Sequence, residues 1–423
     1  MAPKSSSVKE ACSSGRPAAR LLLVCRYTKD GESVHDHSHK TTRHRLQHAI
    51  QWTLHSARPE ARPWLLTTLG GWVALRLLTK GCQGVDRLRA LAVSSPTVEA
   101  PVFVLGHPRS GTTWLHRLLA LDDRFCTMRL WEGLLPSQTG HDLVRCVQRG
   151  SRGKLTPLAD RIDTALFTPL QSIHPTGLRS VEEDELLFLQ SLAAAHVWHV
   201  FGAPELRDEG WRRDTLPPER QVRMLRDYRR AVTQLLRHQS TSQIYLSKNP
   251  FFAGWISTLS TAFPRARFIL LSREPADAVA SLLMNVHTAQ QQLDPAHAPR
   301  GPWSRALFER SVDLIRHVET VFETLPDERK FRVAYPTLVR HPSSTITSIY
   351  NHFGWTEAPQ ARAARADAVS EATRRIPRRV PRLRSFGIPA AELAARLSDC
   401  EELRASLQQA SSRTGVSRAS RGS

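Results

Sequence analysis

Short apolar runs that end in polar turns, followed by apolar positions at helical spacing, recur through the middle of the chain. The clearest run, Val102–Gly106, leads through a tight turn into leucines at helical intervals. Comparable runs precede Lys248 and Arg273, and a fourth ends at Tyr335. Alternating strand and helix signals of this kind indicate parallel strands joined by helices. The pattern therefore predicts an α/β fold with a P-loop-like central parallel β-sheet flanked by helices.

The flanks of this region differ from it in composition and periodicity. Residues 1–45 are polar and irregular, and we expect a disordered basic tail there. Residues 46–99 carry helical periodicity and predict a helical preface, whose apolar stretch Trp64–Leu75 is too short to span a bilayer. The predicted main domain covers 100–390, with a helical insertion at 140–240 and a C-terminal helix and disordered tail at 391–423.

The turn after the first apolar run has the composition of an anion-binding loop. Four residues separate Gly106 from Gly111, the spacing of a phosphate loop, and helical periodicity begins directly afterwards. Backbone N–H groups at such a helix N-terminus point toward one spot and favour a negative group. The lysine that an ATP-binding loop carries after its second glycine is replaced by Thr112, and Arg109 supplies a charge from within the loop. We therefore expect phosphate binding without magnesium-assisted attack on a γ-phosphate.

Two later segments carry basic side chains at the ends of predicted strands. Lys248 precedes Asn-Pro-Phe, and Arg273 is followed eight residues later by Ser281. The carboxyl ends of parallel strands share one edge of the sheet, where α/β proteins bind ligands. A guanidinium and a hydroxyl together suit a phosphate monoester. Taken singly, Lys248 also fits a solvated side chain, and Arg273 fits an ion pair with a neighbouring acid.

Together these elements resemble the sulfotransferases that use 3′-phosphoadenosine 5′-phosphosulfate (PAPS), of the bacterial and tyrosylprotein types. Pro108–Thr113 looks like their 5′-phosphosulfate loop, Lys248 their sulfate-contacting lysine, and Arg273 with Ser281 their 3′-phosphate-binding pair. The resemblance implies transfer of a sulfuryl group from PAPS to a hydroxyl or amine, with 3′-phosphoadenosine 5′-phosphate (PAP) as product and no metal. The co-substrate-binding residues that it implies are Arg109, Ser110, Gly111, Thr112, Thr113, Trp114, Arg273 and Ser281.

The same resemblance calls for a side chain that takes a proton from the acceptor. Glu132 is one candidate. The alternative interpretation is that Glu132 is a solvent-exposed carboxylate beside a tryptophan of the core and has no catalytic role. Ser180 and Glu183 form a capping-box pattern ahead of an apolar helix, and the helix dipole then accounts for the acids of that turn. Arg109 and Lys248 are implied to stabilise charge on the leaving phosphosulfate oxygen. Bacterial sulfotransferases often carry a His-Pro segment followed by paired glutamates near the acceptor cleft, and the segment that begins at His174 and Pro175 is similar, so the resemblance adds His174 and Glu183 as candidate bases. The residues assigned to catalysis are Glu132, His174, Glu183, Lys248 and Arg109.

Composition adds a strong positive charge to this picture. The chain has 59 Lys and Arg against 39 Asp and Glu, a formal net charge of +20 at pH 7, which favours anionic partners. Six scattered cysteines without a CxxC pair suit a reducing compartment, and no secretory signal is evident, so we expect a cytoplasmic protein. The expected partner is a small-molecule, glycan, lipid or peptide acceptor, and the sequence does not choose among these.

Two other functions are compatible with parts of the chain. A P-loop kinase would use a glycine loop, but it predicts magnesium dependence and a lysine after Gly111. A nucleic-acid-binding protein would use the Arg-rich segment 374–384. Sulfotransferases carry basic and aromatic residues in a late loop before a Phe-Gly turn, and at this place the chain has Arg378, Arg379, Arg382 and Arg384. The three loop and strand-end motifs rank a sulfotransferase first and make nucleic acid a partner that we do not expect.

Overall fold

Five short strands with apolar side chains form one parallel sheet in the computed structural model of the chain. Their order across the sheet is β2-β3-β1-β4-β5, so the first strand is central. This confirms the predicted fold class. The strands are β1 (Val102–Gly106), β2 (Phe125–Cys126), β3 (Ile244–Lys248), β4 (Arg267–Ser272) and β5 (Lys330–Ala334). The structure describes residues 42–90, 98–152, 154, 157, 160–161, 163–164, 176–197, 210–237, 243–293, 296–373, 381–398 and 400.

Helices cover both faces of the sheet. The α-helices are α1 (Thr42–His55), α2 (Arg62–Arg89), α3 (Thr112–Leu119), α4 (Leu130–Leu134), α5 (Gln138–Gly150), α6 (Pro218–Leu236), α7 (Ile256–Ala262), α8 (Pro275–Leu293), α9 (Pro302–Glu323), α10 (Tyr335–Arg340), α11 (Pro342–His352), α12 (Pro359–Thr373) and α13 (Ala390–Arg396). Short 3-10 helices lie at Pro59–Ala61, Asp184–Ser191, Arg213–Thr215, Pro250–Gly254, Asp327–Arg329 and Leu383–Phe386. Among the described residues, no helix is both long enough and apolar enough to cross a membrane.

Alternation of side chains along each strand divides the core into two layers. Phe103 and Leu105 point into one apolar cluster, and Val102 and Val104 point into the other. Successive residues of a strand face opposite sides, and a parallel sheet covered on both sides needs apolar residues at every position. The continuous apolar run of β1, with all five residues buried, follows from this requirement. Strand β1 is thereby fixed between β3 and β4, and the loop after it lies at the centre of the sheet edge.

Helices α1 and α2 pack on the segment around residues 189–192. Trp72 donates its indole N–H to the carbonyl oxygen of Leu189 at 2.9 Å, and Arg45 donates to the carbonyl oxygen of Ser191 at 3.0 Å. A small apolar cluster that includes Leu65 and Leu192 lies between them. The helical preface is therefore present from Thr42, whereas the predicted domain boundaries stay predictions. The predicted N-terminal tail, up to residue 41, and the C-terminal tail after residue 400 lie outside the described residues.

The capping box at Ser180 and Glu183 is wrong. The helix that follows is a 3-10 helix, Asp184–Ser191, whose N-cap is Glu183, and no side chain caps it. Its acids are turned inward, with Asp184 and Glu185 almost fully buried. A local pattern predicted a capped helix start, but hydrogen bonds from β3 and from Asn249 after it, more than 60 residues away in sequence, turn these acids inward.

We expect Gly254→Ala to destabilise the protein by at least about 2 kcal/mol, because overpacked cores must shift their backbone. A Cβ at this position would overlap the backbone carbonyl group of Trp211. Gly81→Ala is the matched control, since nothing lies within 4 Å of its added Cβ on exposed α2, and alanine favours helix there by about 1 kcal/mol. Denaturant unfolding of both variants checks this, and equal stability of the two would contradict the packing described.

Candidate active site

The loop after β1 is shaped by two glycines. Gly111 has a φ of +101°, in the left-handed region, and a Cβ there would lie 2.6 Å from the Tyr335 ring. A Cβ on Gly106 would lie 2.5 Å from the carbonyl oxygen of Leu271 and 2.7 Å from Ser110 Oγ. Only glycine lets the loop turn this tightly beside its neighbours. The first N–H groups of α3 follow directly, and such groups have no carbonyl partner inside their own helix, which suits an anion.

The polar side chains of this loop begin the helix or lie beneath it. Ser110 is fully buried, and its hydroxyl has no hydrogen-bond partner among the residues that the structure describes. Thr112 is buried at the first position of α3. Thr113 and Trp114 are half-buried, and Trp114 packs against the apolar layer on the α3 side of the sheet. The loop residues predicted from the sequence are therefore arranged around one turn of backbone.

Arg109 lies with the pair Arg273 and Ser281. The backbone of Arg109 is left-handed, with a φ of +73°, and its Nε donates to Ser281 Oγ at 3.3 Å. Arg273 follows β4 and donates from Nη1 to the carbonyl oxygen of Arg109 at 3.0 Å. Its guanidinium lies 4.7 Å from the centre of the Tyr335 ring, a cation–π distance. Three residues that the sequence placed on different elements thus form one cluster at the ends of β1 and β4.

Lys248 forms a second cluster on the other side of β1. It pairs in register with Val104, it is buried, and its ammonium group is ion-paired with Glu183. The other Glu183 oxygen accepts a hydrogen bond from His196 Nε2 at 3.0 Å. Partial loss of water around His196 opposes its protonation, but Glu183 outweighs this effect and raises the pKa of the imidazole above its usual value. The side chain of His196 is 47% exposed, so this end of the cluster is open to solvent.

Sequence reasoning missed His196, and no local signal marks it. Leu192 ends the 3-10 helix in the left-handed region, with a φ of +51°, and the chain then turns back along that helix. Ala195 N–H donates to the Glu185 carboxylate at 2.6 Å, which holds the returning segment in place. The position of His196 beside Glu183 is therefore a consequence of this turn. In the sequence this histidine follows three alanines and belongs to no recognisable motif.

Asp184 and Glu185 attach the same segment to β3 and to α6. Asp184 accepts hydrogen bonds from Ser247 at 2.7 Å and from Tyr245 at 3.0 Å, both on one face of β3, and from Tyr228 at 2.6 Å. Burial raises the Asp184 pKa to about 6, against the lowering effect of these donors. Glu185 accepts from Asn249 at 2.7 Å and from Arg213, in a fully buried ion pair. The acids thus position the end of β3, including Lys248.

The other two predicted bases are Glu132 and His174. Glu132 is buried at the start of α4, and its carboxylate accepts the Arg129 backbone N–H at 2.8 Å in a capping box. Burial raises its pKa. His174 lies outside the described residues, as do Arg378 and Arg379 of the late arginine-rich loop. The carbonyl oxygen of Arg384 from that loop accepts a hydrogen bond from Arg300 at 3.3 Å.

Two histidines near the loop are buried without charge. His116 lies in α3 with Nε2 3.4 Å from the carbonyl oxygen of Leu246, and burial with the charge of Lys248 lowers its pKa to about 3. His107 contacts the carbonyl oxygen of Pro108 at 2.6 Å, and burial lowers its pKa to about 4. Bases this weak are neutral near pH 7 and accept a proton poorly, so both histidines are structural.

Known proteins share these features. A sequence model described as the Sulfotransferase family matches residues 101–359, well over half of the chain and every strand of the sheet. The chain belongs to the sulfotransferase family. Omega-hydroxy-beta-dihydromenaquinone-9 sulfotransferases Stf3 of Mycobacterium bovis and Mycobacterium tuberculosis are each 26% identical to it over 267 residues, 60% of this chain. The chain spans about 63% of the length of these relatives.

Solved structures of mycobacterial sulfotransferases have the same fold. Sulfotransferase STF9 from Mycobacterium avium superposes with a TM-score of 0.68 at 19% identity, over 90% of this chain and 95% of its own. Sulfotransferase STF1 from Mycobacterium tuberculosis has a TM-score of 0.63 at 19% identity, over 85% of this chain and 92% of its own. The parallel sheet of this sulfotransferase, with its helical cover, is therefore the architecture of a known enzyme family.

Two further features of the site are its possible metal ligands and the aromatic residue Trp211. Within the described residues of this sulfotransferase, no cluster of three or more His, Cys, Asp or Glu is placed to hold a metal ion. Trp211 belongs to the core: it is 1% exposed and packs on Phe251 with ring centres 5.2 Å apart.

The raised pKa of His196 predicts a pH-dependent contribution to stability. A raised folded-state pKa means that the protonated form, paired with Glu183, stabilises the fold. This stabilisation is complete below the ordinary histidine pKa of 6.5 and is lost as the pH rises through the folded-state pKa. We expect the melting temperature of the wild type to exceed that of His196→Gln at about pH 5 and to approach it at about pH 9. A difference that stays constant over this range would contradict the pairing.

Proposed function

We propose that this sulfotransferase transfers a sulfuryl group from PAPS to a hydroxyl or amine of its acceptor by in-line displacement. The observation that carries the proposal is the cluster of Arg109, Arg273 and Ser281 beside the glycine loop. Two guanidinium groups and a hydroxyl at one point match a phosphate monoester, and a helix N-terminus next to them matches a second anionic group. PAPS carries both groups on one nucleotide.

The residues present fit such a co-substrate. The Ser110 hydroxyl and Arg273 Nε are buried donors with no hydrogen-bond partner among the described residues, and such groups are costly unless a ligand or water satisfies them. The glycines keep Cβ atoms out of the loop, where an anion would approach the backbone. We assign Arg109, Arg273 and Ser281 to the 3′-phosphate, which moves Arg109 from the leaving-oxygen role that the resemblance implied, because it contacts both other residues. We assign the N–H groups at the start of α3, with Ser110, Gly111, Thr112, Thr113 and Trp114, to the 5′-phosphosulfate end.

The second cluster supplies the chemistry on the acceptor side. When bound, PAPS would supply an activated sulfuryl group. Lys248 places a fixed positive charge at the sheet edge beside the loop, where negative charge would develop on the leaving oxygen. Both Glu183 oxygens are engaged, one by Lys248 and one by His196, so the exposed imidazole is the group that an acceptor can reach. We propose His196 as the proton acceptor and Glu183 as the carboxylate that orients it.

The acceptor that we propose is a hydroxyl-bearing small molecule, with a hydroxylated lipid as the first class to test. The curated relatives are named for omega-hydroxy-beta-dihydromenaquinone-9, and that name describes a hydroxylated menaquinone. We assign the reaction to the cytoplasm, as expected from the free cysteines, which in the described part of the chain are Cys82, Cys126, Cys146 and Cys400.

PAP should bind with micromolar-class affinity and without magnesium, and Arg273→Ala should weaken that binding about 10- to 100-fold, the effect of losing charged hydrogen bonds. Isothermal titration calorimetry with PAP, ADP and Mg·ATP measures this. Arg265→Ala is the matched control, because Arg265 precedes the same strand at its opposite end and makes an exposed ion pair with Glu99 at 3.0 Å. That variant should bind PAP like the wild type.

Other outcomes of the titration separate the rival functions. Preference for Mg·ATP over PAP would replace the proposal with a P-loop kinase. No nucleotide binding, together with RNA retention that is lost on deletion of residues 360–423, would replace it with a nucleic-acid-binding protein. Equal loss of PAP affinity in Arg265→Ala and Arg273→Ala would show that the cluster is not the binding site.

Turnover of base variants should separate the candidates. With labelled PAPS and the hydroxylated acceptor that the wild type sulfates fastest, His196→Gln and Glu183→Gln should lower kcat about 100-fold or more, the usual range for a lost general base. Glu132→Gln should stay within about twofold, because glutamine can still accept the Arg129 N–H in the capping box. His174→Ala should also retain turnover. Loss of turnover in Glu132→Gln or His174→Ala, with full activity in His196→Gln, would overturn the assignment.

A further inference from the structure

One side of helix α2 packs against the rest of the protein, and the opposite side is apolar but exposed to solvent. Leu65, Leu69 and Trp72 face the molecule, while a row of large apolar side chains stands in solvent on the opposite side. At about 100° per residue these side chains fall within one outward sector, and no charged residue of α2 falls inside that sector. Leu77 and Leu88 are the most exposed, at 67% and 69%. We define the α2 apolar face as Leu66, Val73, Leu77, Leu78, Val85 and Leu88, each at least 36% exposed.

Basic side chains border this face along one side. Arg62, Arg76, Lys80 and Arg87 follow each other at intervals close to whole helical turns. Lys80 lies close enough to Arg76 that burial and the repulsion of that guanidinium both lower the Lys80 pKa. No acid of α2 faces solvent, since its one carboxylate, Asp86, is buried and accepts hydrogen bonds from α5. The border lacks negative partners on its own helix. Asp227 of α6 also acts on Lys80, but the guanidinium of Arg76 acts more strongly. The border is therefore complementary to an external anionic surface.

A basic recess adjoins the C-terminal end of the same helix. Arg87, Arg230 and Arg237 line a cleft of about 290 Å³ between α2, α5 and α6. Asp86 also borders this cleft, but Ser137, Thr139 and the neighbouring backbone N–H groups occupy both of its oxygens. Three arginines against the one carboxylate of Asp86 give the recess a net positive charge, which suits an anionic group. The recess lies on the packed side of α2, at the C-terminal end of the helix.

We propose that α2 lies in the plane of an anionic membrane surface. The α2 apolar face enters the boundary between headgroups and acyl chains, and the basic border meets the lipid phosphates. The helix has 28 residues, about 42 Å along its axis, and a charged, amphipathic helix of this kind lies on a bilayer instead of crossing it. This placement does not rest on sulfuryl transfer, and it can be tested without any acceptor.

A second copy of the chain is a poorer occupant of this face. In a two-fold contact the same surface patch meets itself, so two apolar faces would bring two basic borders together. Exposed α2 acids that could offset this repulsion are missing from the helix, which is described over its whole length. Lipid phosphates supply the opposite charge that a second α2 does not. The charge pattern therefore selects the membrane.

Co-sedimentation of the full chain with lipid vesicles tests the proposal. Vesicles of phosphatidylcholine are compared with vesicles that also contain phosphatidylglycerol, at low and high salt. We expect binding to the anionic vesicles at least about tenfold stronger than to the neutral ones, and weaker at high salt. Lys80→Gln with Arg87→Gln should lower binding to anionic vesicles and remove most of its salt dependence. No binding to anionic vesicles, or equal binding to both kinds, overturns the proposal.

The apolar contribution has its own matched pair of variants. Leu77→Gln with Leu88→Gln should weaken vesicle binding about tenfold, because two exposed leucines no longer leave water. Val222→Gln with Val339→Gln removes two equally exposed apolar side chains, at 60% and 53%, from other helices and should bind like the wild type. Unchanged melting temperatures show that both proteins are folded. Equal weakening in the two proteins overturns the proposal, as does a wild-type dimer that Leu77→Gln with Leu88→Gln dissociates.

Discussion

The arrangement of the site depends on three consecutive acids buried against the end of one strand. Lys248 is ion-paired with Glu183, the Ser247 hydroxyl donates to the Asp184 carboxylate, and the Asn249 amide donates to the Glu185 carboxylate. Taking charges out of water is costly, and the cost is offset only when each charge finds a partner of good geometry. Here the partners lie on a sheet strand, so the acids have one stable position. The segment that carries His196 is held against these acids, because the Ala195 N–H donates to Glu185.

The same pairing explains how a lysine can be buried at the sheet edge. An isolated buried ammonium group is costly, because burial removes the water that solvates its charge. Glu183 supplies the opposite charge to Lys248, and removing one partner of a buried pair typically costs about 3–5 kcal/mol. Stability and function are therefore coupled at this point of the chain. A substitution of Glu183 that is read only through activity would mix a loss of chemistry with a displaced Lys248.

Residues at strand ends could be predicted from the sequence, and residues joined by long-range pairing could not. Lys248 and Arg273 each follow an apolar run, and parallel topology alone brings such ends to one edge. The Ser180 and Glu183 pattern satisfied a local capping rule. Such a rule does not include the contact between Glu183 and Lys248, which are 65 positions apart in the sequence. The position of His196 depends on the left-handed backbone of Leu192, a conformation that is uncommon for leucine and that the sequence therefore does not predict. The missed residue thus lies where tertiary contacts override local preference.

The glycine loop shows the opposite case, because the glycines in the sequence did indicate a tight loop, although the contacts that require them come from distant residues. Gly111 is glycine because its backbone is left-handed and because the Tyr335 ring occupies the space of a side chain. The same ring lies under the Arg273 guanidinium, which donates to the carbonyl oxygen of Arg109. Loop, strand end and aromatic ring are therefore packed as one unit across β1, β4 and the residue after β5. Because interiors of this kind are close-packed, a larger residue at Gly111 would displace Tyr335 and with it Arg273, so the geometry that we propose for phosphate binding rests on a position that itself carries no charge.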